Sequence, residues 1–141
     1  MCWSARVRRL AHGLHLSAGC QIGGVLEPVG ASPVIVEDDA FVGGGTGLFE
    51  GVIVKRGAVI GAGVLLTRAT PVYDLVYKRI LRAADPLPLV VPENAVVVMG
   101  CRPSHAPFAQ QHGVHLYVPV IVKYRDARTD AATALEDTLR G

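Results

Sequence analysis

The chain has 141 residues, of which 50% are hydrophobic and 18% charged, and its formal net charge is +2. This length suits one compact domain, and so balanced a charge gives no electrostatic basis for binding nucleic acid or an anionic membrane. No apolar run approaches the roughly 20 residues of a membrane-spanning helix, and no secretory signal is evident, so the composition predicts a cytoplasmic protein without nucleic-acid or membrane partners.

The N-terminal segment, residues 1–13, differs in character from the remainder of the protein. It contains one tryptophan and three arginines and lacks the valine- and glycine-rich pattern of residues 14–103. We therefore treat residues 1–13 as a divergent N-terminus.

Beyond this segment, aliphatic residues recur at a spacing of six. The unbroken series is Val36, Val42, Leu48, Val54, Ile60 and Leu66. A second series, four residues after each of these, is small or β-branched: Ala40, Thr46, Val52, Ala58, Val64 and Thr70. Helices have a period of 3.6 and strands a period of 2, so neither explains the pattern. The same register continues upstream at Leu16 and Ile22 and downstream at Val91 and Val97.

A period of six predicts one short strand and one turn per repeat, with three repeats closing a triangular coil of a parallel β-helix. The aliphatic residues are expected to point inward, where each contributes roughly 1.5–3 kcal/mol relative to exposure. Glycines are expected at the corners because tight corners often require φ > 0. These glycines are Gly43, Gly51, Gly57, Gly61 and Gly63.

Two irregular spacings interrupt the coil. The step from Ile22 to Val36 is fourteen residues, which predicts a bulge at residues 27–33, and the step from Leu66 to Val91 is twenty-five, which predicts an excursion at about residues 71–90. The coil is therefore assigned to residues 14–103. Residues 104–141 are predicted to form a C-terminal strand and a short helix that caps the open end of the solenoid, with a direct part in catalysis as the alternative.

No metal site is evident in the sequence. The three cysteines include no C-x-x-C pair, and none of the five histidines lies within residues 34–70. A hexapeptide carbonic anhydrase needs three histidines around zinc, so this pattern argues against that class, and no metal is expected.

Longer strings resemble one family of hexapeptide proteins. "HLSAGCQIGGVLEP", "VIVEDDAFVGG", "EGVIVKRGAVIGAGVLLT", "VPENAVVVMGCRP" and "LYVPVIVKYRDARTD" are similar to tetrahydrodipicolinate N-succinyltransferase. The resemblance implies an all-β, left-handed parallel β-helix that assembles as a homotrimer with active sites between subunits. It also implies transfer of a succinyl group from succinyl-CoA, as co-substrate, to the amino nitrogen of tetrahydrodipicolinate in lysine and diaminopimelate biosynthesis.

The resemblance also implies roles for particular residues. The succinyl-CoA arm is expected at Gly43, Gly44, Gly61, Ala62, Gly63 and Thr67, although simple corner geometry also accounts for the glycines. The amino-acid substrate is expected at Ser17, Gly19 and Glu27. For Glu27, contact with a neighbouring subunit is an equal alternative.

Two departures from the family pattern concern catalysis. Where family members read A-R-S-E, with the glutamate a proposed catalytic residue, this chain has Gly44, Gly45, Thr46 and Gly47. Glu50 is the nearest carboxylate that can take over as catalytic base, and an outward-facing solvated carboxylate is the alternative. The family's other proposed catalytic residue, an aspartate, precedes the segment that this chain matches.

These departures leave two hypotheses open. One is a succinyl-CoA-dependent N-acyltransferase in a shortened chain, and the other is a catalytically inactive trimeric β-helix that serves as a scaffold or persists as a fragment. For residues 1–13, a frameshifted start on an interrupted gene is the favoured interpretation, and a genuine divergent arm is the alternative.

Overall fold

A computed structural model gives the structure of the chain and describes residues 3–4, 12–23, 32–126, 135–136 and 139–140. The strands are Trp3–Ser4 (β1), His15–Leu16 (β2), Gln21–Ile22 (β3), Ile35–Val36 (β4), Phe41–Val42 (β5), Gly47–Leu48 (β6), Ile53–Val54 (β7), Val59–Ile60 (β8), Leu65–Leu66 (β9), Val72–Asp74 (β10), Arg79–Leu81 (β11), Val90–Val91 (β12), Ala95–Pro103 (β13) and His115–Tyr124 (β14). The helix is Pro107–His112 (α1). Over the described ranges, no helix has the length and apolarity to cross a membrane.

The short strands stack into the three faces of a prism. Face A contains β1, β3, β6 and β9, face B contains β4, β7 and β12, and face C contains β2, β5, β8 and the first residues of β13. Neighbouring strands within a face are parallel, and Gly47 pairs with Leu65, eighteen residues further on. Because eighteen residues are three hexapeptides, the predicted three-sided coil is confirmed.

The interior of the prism is the predicted aliphatic ladder. The six residues of the first series are fully buried: Val36, Val42, Leu48, Val54, Ile60 and Leu66. On face A, Ile22, Leu48 and Leu66 lie in register on successive strands. The second series lines the same core as far as Val64, whereas Thr70 at its end is only partly buried. Each six-residue repeat therefore contributes two inward residues, an aliphatic one in the strand and a small or β-branched one after the corner.

The N-terminal part of the coil is described only in pieces. Trp3–Ser4 pairs in parallel with Gln21–Ile22 and so extends face A by one strand. The remainder of residues 1–11 lies outside the described residues, as do residues 24–31, which hold most of the predicted bulge.

After β9 the chain leaves the coil, in the segment where an excursion was predicted. Strands β10 and β11 form an antiparallel hairpin in which Val72 lies opposite Leu81. Strand β10 also pairs in parallel with β14, far along the chain. The chain rejoins face B at β12, where Val90 pairs with Ile53. We call residues 71–90 the excursion.

The coil ends earlier than residue 103, where the sequence placed its boundary. Strand β13 pairs with the coil only at Val96 and Val97 and then continues as an antiparallel hairpin with β14. Between these two strands lies α1, an exposed helix that the sequence analysis did not predict. Pro107 begins α1, and Gly113, with φ 65°, ends it, as is common at helix termini.

Two residues of the C-terminal part cover the prism. The Tyr117 hydroxyl accepts a hydrogen bond from Leu65 N and donates one to Leu65 O, both at 2.9 Å, on the edge strand β9. Leu135, in one of the described helical fragments near the C-terminus, packs with Val59 and Val96 on the outer side of face C. This side chain therefore covers a flank of the prism, and most of the predicted capping helix lies outside the described residues.

Candidate functional site

One corner of the prism gathers most of the residues predicted to bind the substrates. Here the chain turns from face C to face A three times, at residues 17–19, 43–45 and 61–63, which we call the glycine corner. Backbone hydrogen bonds join its layers: Gly45 N donates to Ala18 O at 3.3 Å, and Gly63 N donates to Gly44 O at 2.9 Å. The corner thus unites the predicted positions Ser17, Gly19, Gly43, Gly44, Gly61, Ala62 and Gly63.

The glycines of this corner serve two different purposes. Gly63 has a φ of 75°, as predicted for a tight corner, and Gly45, which was not among the predicted glycines, has a φ of 70°. Gly43 and Gly61 do not have positive φ, so the sequence-based reason given for them was wrong. They are glycines for lack of space, because a Cβ on Gly43 would lie 2.6 Å from Ala62 N. At Gly61 the approach is less close, since a Cβ would lie 3.0 Å from Val97 O of the next layer, which is a tight contact.

The glycine corner leaves two backbone donors available. Among the described residues, neither Gly44 N–H nor Ala62 N–H donates a hydrogen bond to any partner. Ala62 is exposed and Gly44 half-buried, so both groups are near the surface of the same corner, one coil apart. Two unoccupied N–H groups on a glycine-rich surface, with the Met99 side chain beside Gly63, are suited to bind the amide or thioester oxygens of an extended acyl arm.

Glu50 occupies the next corner, where the chain turns from face A to face B. Both Glu50 and Gly51 have positive φ, at 54° and 76°. A glutamate in this conformation is unusual because only glycine adopts it without steric cost. Glu50 Oε2 accepts a hydrogen bond from Arg68 N at 3.1 Å, one coil further on. We call residues 50–51 and 67–70 the Glu50 corner.

A shallow pocket of about 560 Å³ opens at the Glu50 corner. Its lining is Glu50, Arg68, Ala69, Ala83 and Asp85, so it lies between the coil and the excursion. Arg68 Nη2 and Asp85 Oδ1 form an ion pair at 2.8 Å across it. The sequence analysis missed Arg68 and Asp85. Arg68 follows Glu50 by one coil of eighteen residues, so that spacing could have predicted that the two lie side by side. No pattern in the nearby sequence predicts the position of Asp85.

Thr67, predicted to bind succinyl-CoA, belongs to the Glu50 corner. Its hydroxyl lies 2.9 Å from the Thr70 hydroxyl and accepts a hydrogen bond from Ala69 N, so it stabilises this turn. Strands β6 and β9 separate it from the glycine corner. The predicted site residues therefore divide into two groups on different corners of one chain. Glu27 lies outside the described residues.

Gly47 stands at the position where the resemblance implies a glutamate, and side chains of face A cover it. The ring of Phe49 lies over Gly47 and Gly23, in the space that a Cβ on either residue would need. Leu65 Cδ2 would lie 2.8 Å from a Cβ on Gly47. A side chain at residue 47 therefore requires Phe49 and Leu65 to move, and this part of face A is apolar.

A buried carboxylate attaches the excursion to β14. Asp74 is 1% exposed, and its Oδ2 accepts hydrogen bonds from Tyr124 Oη at 2.6 Å and from Arg79 Nε at 3.0 Å. Burial by itself raises the pKa of Asp74, but the hydrogen bonds, led by the one from Tyr124, outweigh it and hold the pKa below its ordinary value of 3.8. Asp74 is therefore a structural anion that positions one wall of the pocket.

Titratable side chains do not gather into a metal site in the described part of the chain. No group of three or more histidine, cysteine, aspartate and glutamate residues is placed there to hold an ion.

Comparison with known proteins places the coil in a described repeat family. The family model for the hexapeptide repeat of succinyl-transferase matches residues 33–68. Proteins of this repeat family form left-handed parallel β-helices, which confirms the predicted fold class.

Curated relatives match nearly the whole chain. The protein TabB of Pseudomonas amygdali pv. tabaci is 46% identical over 127 residues, which are 89% of this chain and 42% of TabB. Two relatives named 2,3,4,5-tetrahydropyridine-2,6-dicarboxylate N-succinyltransferase are similarly close. The Neisseria meningitidis serogroup A protein is 43% identical, and the match covers 91% of this chain and 43% of that protein. The Idiomarina loihiensis protein is 42% identical, and the match covers 94% of this chain and 44% of that protein. The chain thus spans less than half the length of these relatives.

Proposed function

We propose that the chain forms the β-helix part of a tetrahydrodipicolinate N-succinyltransferase, because residues 33–68 match the hexapeptide repeat of succinyl-transferase and relatives of that name match most of the chain. The reaction would move a succinyl group from succinyl-CoA to the amino nitrogen of ring-opened tetrahydrodipicolinate, a step of lysine and diaminopimelate biosynthesis in the cytoplasm. The observation that supports it most is the identity of 42–43% with relatives of that name over about nine-tenths of the chain.

The glycine corner is the part of the fold suited to the acyl donor. Gly44 N–H and Ala62 N–H are free of partners among the described residues and lie one coil apart. A thioester carbonyl develops negative charge when an amine attacks it, and fixed N–H donors stabilise that charge. We assign the pantetheine arm to this corner because Gly44 and Ala62 carry little or no side chain to obstruct an approach to their N–H groups.

The amine needs a base, and Glu50 is our candidate. The amino nitrogen would attack the thioester carbon while the Glu50 carboxylate takes the amine proton, and the tetrahedral adduct would then collapse with loss of the CoA thiolate. Oε1 of Glu50 accepts no hydrogen bond from any residue in the described ranges, so a ligand meets a free acceptor. The positive φ of Glu50 does not distinguish it, since Asp39 and Asn94 have the same conformation at other corners of the coil.

A trimer would bring the Glu50 corner and the glycine corner of different subunits together. Within one chain, β6 and β9 separate Glu50 from the glycine corner. In a ring of parallel prisms, the Glu50 corner of one subunit can face the glycine corner of its neighbour, and a cleft between them would hold both substrates. We therefore propose a homotrimer with one site per interface.

An inactive scaffold is the second candidate, and Gly47 is the observation in its favour. The family's catalytic glutamate is replaced by a glycine whose outer surface Phe49 covers. If Glu50 has not taken over that role, the chain retains the coil of a succinyltransferase without its chemistry.

The test is CoA release by the purified 141-residue chain with succinyl-CoA and 2-aminopimelate, on material whose oligomeric state has been measured by size-exclusion chromatography. We expect turnover by a trimer, its loss in Glu50→Gln, and no change in the matched control Glu93→Gln, an exposed corner carboxylate outside the pocket. A well-formed trimer without turnover would overturn the enzyme hypothesis in favour of the scaffold.

A mixing experiment tests the position of the site. Glu50→Gln and Ala62→Trp chains should each be inactive, the second because a bulky exposed side chain blocks the glycine corner. Co-expressed, they should recover about a quarter of the wild-type activity, because random assembly leaves that share of interfaces with both wild-type corners. No recovery would place both groups in one chain or in neither.

A further inference from the structure

The pocket at the Glu50 corner combines one cation with two carboxylates. Arg68 and Glu50 come from successive coils, and Asp85 comes from the excursion. Arg68 N donates to Glu50 Oε2 at 3.1 Å, which fixes the carboxylate beside the base of the Arg68 side chain. A ligand bound here therefore meets a guanidinium and a carboxylate held at adjacent positions on a rigid coil.

The ion pair between Arg68 and Asp85 is easily exchanged. The Asp85 side chain is 94% exposed and that of Arg68 41% exposed, and exposed pairs of this kind contribute little to stability. Asp85 Oδ1 contacts a single guanidinium nitrogen, whereas a planar guanidinium can bind a carboxylate through two. A ligand carboxylate can thus replace Asp85 at Arg68 at small cost.

The complementary ligand is an α-amino acid head group. Its carboxylate matches Arg68, and its ammonium matches the Glu50 carboxylate, whose Oε1 has no partner in the described part of the chain. A dicarboxylate without an amine would gain Arg68 but would face Glu50 with like charge. The charge arrangement of the pocket therefore favours the zwitterion.

We propose that Arg68 anchors the carboxylate next to the reacting amine of the acceptor, with Asp85 as an internal competitor that the ligand displaces. This assignment rests on the proposed function, since it gives the ammonium at Glu50 the role of the acceptor nitrogen. The ammonium would first lose one proton to solvent, and the neutral amine would then attack while Glu50 takes its second proton, as in the proposed function. Arg68 is accordingly a specificity residue for the amino-acid substrate.

Calorimetric titration of the full chain, without any acyl donor, tests the proposal. With 2-aminopimelate as the probe, Arg68→Gln should weaken binding by about tenfold or more, the loss expected for a charged hydrogen-bonded contact. Arg82→Gln, an exposed arginine of the excursion outside the pocket, is the matched control and should bind as the wild type does. Asp85→Asn should bind more tightly, because the competitor is gone.

Pimelate distinguishes recognition of the carboxylate by Arg68 from recognition of the ammonium by Glu50. It lacks the amine, so the wild type should bind it more weakly than 2-aminopimelate, and Glu50→Gln should remove that difference. Equal affinity of Arg68→Gln and Arg82→Gln for 2-aminopimelate, weaker binding by Asp85→Asn, or no binding by the wild type would each overturn the proposal.

Failure of this proposal differs from failure of the proposed function. If Arg68→Gln weakens binding of 2-aminopimelate but the wild type shows no turnover, the amino-acid site is supported and the succinyltransferase activity is refuted. Turnover with an unchanged KM for 2-aminopimelate in Arg68→Gln would retain the activity and refute the role of Arg68.

Discussion

In the coil, stability is distributed over stacked aliphatic side chains, whereas the excursion is held by unlike contacts: the pairing of β10 with β14, the buried side chains Val72 and Leu89, and the buried carboxylate of Asp74. Each layer of the coil repeats the contacts of the last, as Ile22, Leu48 and Leu66 do on face A. The excursion has no such ladder, and Asp74 joins its two strands to Tyr124 of β14. Repetition makes the coil a uniform support, and Asp74, which we call the anchor, adds a charged contact on which the position of β10 and β11 depends.

This difference matters for function because the pocket spans both regions. Glu50 and Arg68 belong to the coil, whose geometry eighteen-residue stacking fixes. Ala83 and Asp85 belong to the excursion. Substitutions in the two regions should therefore differ in the kind of effect as well as in its size.

The largest effect is expected from the ladder. Leu48→Ala should lower the free energy of unfolding by about 2–5 kcal/mol, because it leaves a cavity in a rigid stack. Urea denaturation measures the loss. Leu87→Ala, at a side chain of the excursion that is 65% exposed, is the control and should change stability by no more than about 0.5 kcal/mol. Comparable effects at the two sites would show that the ladder is not the main source of stability.

A smaller and more local effect is expected from the anchor. Asp74→Asn should cost about 1–3 kcal/mol, because Arg79 and Tyr124 lose a charged acceptor. Hydrogen exchange should accelerate in β10, β11 and β14 while the coil strands stay protected. Asp85→Asn, at an exposed carboxylate, is the control for protection. Uniform acceleration through the whole chain would contradict a locally attached excursion.

The anchor should also respond to acid. The folded pKa of Asp74 lies below the ordinary 3.8, so its stabilisation is complete above about pH 3.8 and is lost as the pH falls through the lower folded value. The stability gap between the wild type and Asp74→Asn should therefore be constant at higher pH and narrow below that point. Unfolding curves at a series of pH values test this, and a gap that widens in acid would refute it.

The smallest effect is expected at the corner between faces B and C, where Lys55 Nζ lies 3.1 Å from Glu37 Oε1. Both side chains are partly exposed, so Lys55→Gln should change the free energy of unfolding by about 0–1 kcal/mol. Added salt should erase most of that difference because it screens exposed charges. A larger, salt-insensitive loss would give this corner a role in stability that its exposure does not suggest.

Much of the candidate site could be predicted from the repeat. Gly43 and Gly61 share a corner because they are eighteen residues apart, and the same spacing puts Arg68 beside Glu50. The reason for Gly43 was nevertheless misread, because the close approach of Ala62 N is a contact between coils and leaves no local signal. The helix α1 was missed for a different reason, since six residues of which none is buried produce no amphipathic pattern.

The sequence by itself determined the coil, because a six-residue period forces every sixth side chain inward and stacks residues eighteen apart. Only the tertiary structure decided where the chain goes once the period is lost. Three contacts depend on side chains that pack against surfaces created by the coil. They are the ion pair of Asp85 with Arg68, the hydrogen bonds of the Tyr117 hydroxyl to the edge of β9, and the ring of Phe49 over Gly47. Such contacts join distant or outward-facing positions, so no local propensity specifies them.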